Sequence, residues 1–185
     1  MKRLILIVVV LSAMGIPASA QRWSVSTNAV DYVNFGTLNI EGSASVAQHF
    51  TVFTGTRFNP WTINDGEENQ KQNRQMTMYA GTRYWPWHIY SGWWTGIKTQ
   101  YQVYNHGGIL KQETEEGDAV GAGIGAGYTL MLNRHFNLEL GGYIWGGYKY
   151  DYTVYSCPRC GRIIENGSKW FAAPDDVILS LVYIF

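Results

Sequence analysis

The chain has 185 residues, enough for one domain, and 14 basic against 14 acidic residues leave a formal net charge of zero. This balance excludes a general electrostatic attraction to nucleic acid, so no nucleic-acid partner is expected. Charged residues reach only 15%, below the ~25% of ordinary soluble domains. Aromatic residues also reach 15%, beside 21 glycines, and this composition favours a β structure rich in aromatic side chains.

Residues 1–20 have the pattern of a secretory signal peptide. They combine a positive start, an apolar core and a cleavage site, at Lys2 and Arg3, Leu4–Leu11, and Ala18-Ser19-Ala20. The apolar core is too short to span a bilayer, and no later stretch reaches the ~18 apolar residues that a spanning helix needs. We therefore predict a signal peptide followed by one exported domain over residues 21–185, which can enter a membrane only through strands.

After this segment, apolar and polar residues alternate with a period of two, the pattern of half-buried strands. The alternation predicts eight strands, at Trp23–Val30, Thr37–Val46, His49–Asn59, Arg74–Trp85, Tyr90–Tyr104, Asp118–Met131, Phe136–Tyr152 and Val177–Phe185. A tilted strand of ~9–11 residues crosses a bilayer, and single-chain bacterial barrels have an even number of strands. The pattern therefore favours an eight-stranded antiparallel up-and-down transmembrane β-barrel.

The predicted connections alternate in length. Short links separate three longer loops, at Pro60–Gln72, Asn105–Gly117 and Thr153–Asp176, although the first link, Asp31–Gly36, is also short. In outer-membrane barrels the short turns face the periplasm and the long loops face the exterior. We therefore expect the protein in the outer membrane, with membrane lipid and the barrel-assembly machinery as partners and the long loops as its exposed surface.

The last predicted strand has an uninterrupted apolar face. Its alternate residues are Val177, Leu179, Leu181, Tyr183 and Phe185. This stretch resembles the C-terminal targeting signal of outer-membrane barrels, which implies that these five residues form the insertion signal. On the opposite face Ile178, Val182 and Ile184 are apolar too, which predicts that they pack against a glycine-rich or aromatic part of the interior.

If the apolar faces point outward, the charges within the strands all point inward. These charges are Glu41, Arg57, Arg83, Lys98, Glu139 and Lys149. A soluble lipocalin-like barrel would have the inverted arrangement, and an eight-stranded barrel is only wide enough for side chains to fill. We therefore predict an ion-paired plug rather than a pore. Glycines at 121, 123, 125 and 127 on one strand face would make room for Trp145, Tyr143 and Tyr79.

Cys157-Pro158-Arg159-Cys160-Gly161 has the C-P-x-C-G sequence of a zinc knuckle, in which two thiolates face one metal. A structural zinc site needs four ligands, and the chain has two cysteines, so His106, a carboxylate or a second chain would have to complete it. An exported compartment also permits a disulfide between Cys157 and Cys160. Disulfide, free thiols, zinc and a redox pair are the alternatives, and zinc is the one cofactor that the sequence suggests.

The chain from residue 21 onward resembles a family of small outer-membrane barrel proteins of unknown function from Bacteroidota. The similar segments are Ser26-Thr27-Asn28, the cysteine segment above, and Ala173-Pro174 ahead of Leu179–Ile184. The resemblance implies a barrel in the outer membrane, and the location of some members beside fimbrial genes implies a surface or fimbrial partner. We therefore expect a non-enzymatic protein with a structural or surface-binding role. The alternatives are a lipid-modifying outer-membrane enzyme and a soluble exported barrel that binds a small ligand; no catalytic residue is assigned.

Overall fold

The computed structural model describes residues 23–64, 70–108, 113–157 and 161–185, so the predicted signal peptide lies outside the described residues. The strands in these ranges are β1 (Trp23–Asn28), β2 (Leu38–Ala47), β3 (Phe50–Asn59), β4 (Thr62–Ile63), β5 (Lys71–Tyr84), β6 (Gly92–Gly107), β7 (Thr114–Met131), β8 (Phe136–Tyr155) and β9 (Ile163–Ile184). One short helical turn, α1 (Ala29–Val33), accompanies them. No helix in the described ranges is long and apolar enough to cross a membrane.

The sheet closes on itself. Each strand pairs antiparallel with its neighbours along the chain, except that β3 pairs with β5 past the two-residue β4, and β9 returns to β1. Within the described ranges, β1, β2, β3, β5, β6, β7, β8 and β9 thus form a ring of eight strands, which confirms the predicted all-β antiparallel barrel. At the seam, Ser24–Asn28 pairs with Ser180–Ile184, and Trp23 and Phe185 exchange two backbone hydrogen bonds.

The two faces of the ring differ as the alternation predicts. Large apolar side chains are exposed on the outer face, including the five residues of the predicted insertion signal, Val177, Leu179, Leu181, Tyr183 and Phe185. On the inner face of β9, Ile178, Val182 and Ile184 are buried in a cluster with the rings of Phe53, Trp85, Tyr90, Trp94 and Tyr143. The expected packing of this inner face against aromatic side chains is therefore confirmed.

Glycines on the inner face of β7 make room for large rings. A Cβ on Gly125 would lie 2.5 Å from the Tyr143 ring, and a Cβ on Gly123 would lie 3.1 Å from Cβ of Trp145. Tyr79 behaves differently, because its ring lies over Gly55, directly opposite it on β3, where a Cβ would be 2.5 Å away. The β7 glycines thus accommodate two of the three predicted side chains, while β3 accommodates the third.

Two predicted loops are largely strand. β9 begins at Ile163 rather than Val177, and β8 continues to Tyr155, so most of Thr153–Asp176 is a hairpin. Likewise β6 continues to Gly107 and β7 begins at Thr114, so both ends of the predicted loop Asn105–Gly117 are strand. The added part of β9 has exposed or half-buried residues on both faces, and a strand wetted on both faces needs no apolar alternation. Hydrogen-bonded pairing therefore continues beyond the residues in which the pattern is visible.

The first strand is shorter than predicted, because β1 ends at Asn28 and the chain turns into α1. The Asn28 side chain caps this turn by accepting a hydrogen bond from the Val30 backbone N–H at 3.2 Å. The same side chain donates to the Val177 carbonyl oxygen and accepts from the Leu179 N–H, both at 3.0 Å. Asn28 therefore ends one strand and fastens that end to β9.

We expect Gly125→Ala to lower the free energy of unfolding by roughly 1–3 kcal/mol, because the added methyl group overpacks a filled interior. A Cβ there would meet both the Gly142 carbonyl oxygen and the Tyr143 ring at 2.5 Å. Gly42→Ala is the matched control, since a Cβ on Gly42 has nothing within 4 Å. Urea unfolding in detergent micelles, followed by tryptophan fluorescence, measures both. Equal effects of the two substitutions would contradict the proposed packing.

Candidate functional site

The interior of the barrel brings together the charged side chains of its inner faces. All six charges predicted from the sequence lie there and form ion pairs, namely Glu41, Arg57, Arg83, Lys98, Glu139 and Lys149. They fall into three groups, centred on Arg83, on Asp175 and on Glu115. The second and third centres belong to segments that the sequence pattern predicted as loops.

Arg83 on β5 joins two carboxylates in the group nearest the short turns. Its Nη1 lies 2.7 Å from Oε1 of Glu41, and its Nη2 lies 3.4 Å from Oε1 of Glu139. The guanidinium also covers two rings, with its carbon 4.3 Å from the Phe53 centroid and 4.8 Å from the Trp94 centroid. One cation is thus held by two carboxylates and two aromatic faces, all withdrawn from water.

Asp175 accepts hydrogen bonds from three side chains in the second group. Lys98 Nζ lies 2.5 Å and Arg57 Nη2 3.0 Å from its Oδ2, and Gln100 donates to its Oδ1 at 3.0 Å. Asp176 lies 3.9 Å from both cations. A β-bulge produces this arrangement, because Tyr143 pairs with Asp176 while Ile144 pairs with Pro174, which leaves Asp175 as the extra residue.

The third group surrounds Glu115 on β7, near the far end of the barrel. Lys149 Nζ lies 2.6 Å from Oε1 of Glu115, Lys169 Nζ lies 3.8 Å from Oε2, and the Tyr104 hydroxyl donates to Oε1 at 2.6 Å. Lys149 also lies 4.9 Å from the Tyr104 ring centroid. This group is more accessible than the other two, since 40% of the Lys169 side chain is exposed.

A cavity of about 480 Å³ lies between the second and third groups. Its lining comes from α1, β3, β5, β6, β7, β8 and β9, and includes Asp31, Arg57, Gln75, Gln102, Lys149 and Asp176. The Gln102 amide donates to Oε1 of Gln75 at 2.8 Å, which leaves Oε1 of Gln102 as an acceptor and the Gln75 amide nitrogen as a donor. We call this space the vestibule.

His106 borders the vestibule beyond Val103, the last outward apolar residue of β6. Burial, and secondarily the charge of Lys149, lowers the pKa of the His106 imidazole to about 4. The ring is therefore neutral at neutral pH. Across the described residues, no group of three His, Cys, Asp or Glu side chains is arranged to hold a metal ion. His106 is thus placed with Glu115, in register on the next strand, rather than with a zinc-type ligand set.

Cys157 is disulfide-bonded, which is one of the alternatives that the sequence leaves open for the cysteine pair. The second cysteine, Cys160, lies outside the described residues. Because zinc binds thiolates, a zinc site at this pair would require the reduced form. Zinc at Cys157 and Cys160 therefore stays a prediction of the sequence alone.

Together, these features define a closed eight-stranded antiparallel barrel whose described inner face is packed with aromatic rings and ion pairs. The chain belongs to DUF3575, a family described as protein of unknown function, whose model matches residues 4–185. A comparison with curated proteins finds no match. Membership of this family assigns no activity, so the function has to be argued from the geometry.

We expect Arg83→Met to lower the free energy of unfolding by about 3–5 kcal/mol, because two buried carboxylates lose their counter-charge. Adding Glu41→Gln and Glu139→Gln to the same chain should restore a large part of the loss. Lys169→Met is the control, with an expected cost below ~1 kcal/mol for an exposed pair. Urea unfolding measures all three, and an equal cost for Arg83→Met and Lys169→Met would contradict this account of the buried network.

Proposed function

We propose that this protein is a non-enzymatic outer-membrane β-barrel with a closed interior and a structural or surface-binding role. The observation that carries the proposal is the inversion of its two faces. The outer face is apolar around the ring, whereas charged and amide side chains are buried on the inner face. A water-soluble barrel of this kind would expose an apolar surface far larger than soluble monomers tolerate.

The middle of the outer face consists of aliphatic side chains in register. Ile97, Ile124 and Ile144 face one another across β6, β7 and β8, and each is more than 60% exposed. Aromatic side chains flank this band toward the short turns. Their closest pairs have ring centroids 5.1–5.2 Å apart, at Phe50 and Tyr84, Trp93 and Tyr128, and Phe136 and Tyr183. An aliphatic band beside an aromatic girdle is the outer surface of transmembrane barrels.

The lengths of the connections support an orientation for this barrel. The aromatic girdle lies at the end that carries the short connections 48–49, 85–91 and 132–135. Because short turns of outer-membrane barrels face the periplasm, the opposite end would face the exterior. That end carries the extended parts of β6 to β9 and the vestibule, so any surface or fimbrial partner would meet these elements. The resemblance to Bacteroidota barrels, including the cysteine segment, agrees with this proposal.

The alternatives lack comparable support. A soluble ligand-binding barrel needs an apolar inner face and a polar outer face, which is the reverse of the observed burial. A lipid-modifying enzyme needs an activated nucleophile or base at the membrane rim. The His106 Nε2 atom is buried and has no hydrogen-bond partner among the described residues, so it is connected to no such group. We therefore propose no catalytic role.

Replacing Ile124 by lysine tests the membrane assignment. Ile124 is 67% exposed at mid-height, and a lysine in the bilayer midplane should cost about 2–4 kcal/mol. Ile164→Lys is the matched control, because Ile164 is 54% exposed on the extended part of β9, away from the girdle. Urea unfolding in lipid vesicles measures both, beside fractionation of cells that express the full chain. A negligible cost for both substitutions, with the protein in the soluble periplasm, would overturn the proposal.

The closed interior predicts that the barrel does not conduct. Buried ion pairs at two levels and the aromatic cluster around Trp94 occupy the space through which ions would pass. Recording from purified protein in planar bilayers should therefore show no steady single-channel current. Steady, large conductance steps would contradict the plug, while leaving the membrane assignment intact.

A further inference from the structure

The ion pairs of the second group balance one another in number. Its two basic side chains, Arg57 and Lys98, pair with its two acidic ones, Asp175 and Asp176. A buried charge is costly unless it is paired, so such a balance is what a water-poor interior requires. A further carboxylate beside this group is then a local surplus of negative charge.

Asp31 is such a surplus charge. It lies in α1 with 8% of its surface exposed, and its side chain has no ion pair within 4 Å and no hydrogen bond among the described residues. Arg57 and Lys98 attract its charge from a greater distance, and Asp175 and Asp176 repel it. Its backbone carbonyl accepts the Thr37 N–H, so the peptide group is satisfied while the carboxylate is not. A carboxylate at this burial that has no partner in contact is stabilised by a cationic group that can reach it. The side chain lines the vestibule, where such a group can enter.

The other lining groups indicate the kind of cation. Asp176 presents a second carboxylate, and Gln102 Oε1 presents an amide acceptor to the same cavity. A primary ammonium group carries three hydrogen-bond donors and one positive charge, which matches acceptors of this kind. A metal ion is disfavoured, because the described residues form no metal-type cluster of three ligands. The Gln75 amide nitrogen and Lys149 would face hydroxyl or other polar groups of the same ligand.

We propose that the vestibule is a binding site for a small organic cation that carries a primary ammonium group, with Asp31 as its counter-charge. A volume of about 480 Å³ is within the range of small-molecule sites, which are typically ~300–1,000 Å³. The cation pairs with the carboxylate that has no partner in contact, and polar groups on the rest of the ligand occupy the amide-lined wall. This inference goes beyond the proposed function and does not depend on the membrane in which the barrel resides.

Glucosamine and glucose form a matched pair of probes, since they differ in an ammonium group in place of a hydroxyl group. With the full exported chain folded in a zwitterionic, sugar-free detergent at pH 7, where the amine of glucosamine is mostly protonated, we expect glucosamine to bind at least ten-fold more tightly than glucose in titration calorimetry. Asp31→Asn should remove this preference, whereas Asp31→Glu should retain part of it. Glu165→Gln, which removes an exposed carboxylate outside the vestibule, should leave the preference unchanged.

Heat-modifiable gel mobility and tryptophan fluorescence verify that each variant is folded. If Asp31→Asn does not fold, Asp31→Glu still tests the site, because it keeps the negative charge and changes its position. Equal affinity for the two sugars, or a preference that survives Asp31→Asn in the folded barrel, would overturn the proposal. Binding of Ca²⁺ with no binding of glucosamine would overturn it as well, in favour of a metal site. Failure of the membrane assignment would leave this measurement unaffected, so the two proposals can fail separately.

Discussion

The rest of the structure depends on the closure of a narrow ring. Eight strands enclose a space that side chains fill, so every inward group must pack against, or pair with, one from another strand. Arg83 shows the consequence, because its guanidinium is hydrogen-bonded and ion-paired to Glu41, lies within 4 Å of Glu139 and covers the rings of Phe53 and Trp94. In a wider barrel these charges would be hydrated, and no such pairing would be required of them.

Large and small residues alternate around this ring to make the closure feasible. Trp94, Tyr143 and Trp145 fit inside because Gly123, Gly125 and Gly127 present no Cβ on the facing wall. Stability and a closed lumen therefore have one origin, because aromatic side chains and ion pairs fill the same narrow space inside the barrel. Interior substitutions would affect both properties together, whereas substitutions on the outer face would affect only the interaction with the surrounding medium.

The barrel is asymmetric, and its candidate site arises from that asymmetry. β1 has six residues whereas β9 has 22, so α1 occupies the place where a longer first strand would continue the wall. Asn28 makes this exchange stable by capping α1 and bonding to β9. The turn brings Asp31 into the interior beside the vestibule, without a cationic neighbour in hydrogen-bond contact.

The sequence by itself determined the strands, their inward and outward faces and the six charges of those faces, because a period of two is a local property of strands. The sequence also indicated that acidic partners were missing, because the six inward charges comprise four basic residues and only two acidic ones. Only the tertiary structure decided that Asp175, Asp176 and Glu115 supply those partners. Their places depend on a β-bulge and on strands that continue past the visible alternation, and neither follows from the alternation itself. The same reason explains why Asp31 was predicted to lie in a simple link: its burial is set by β9, which is distant in sequence.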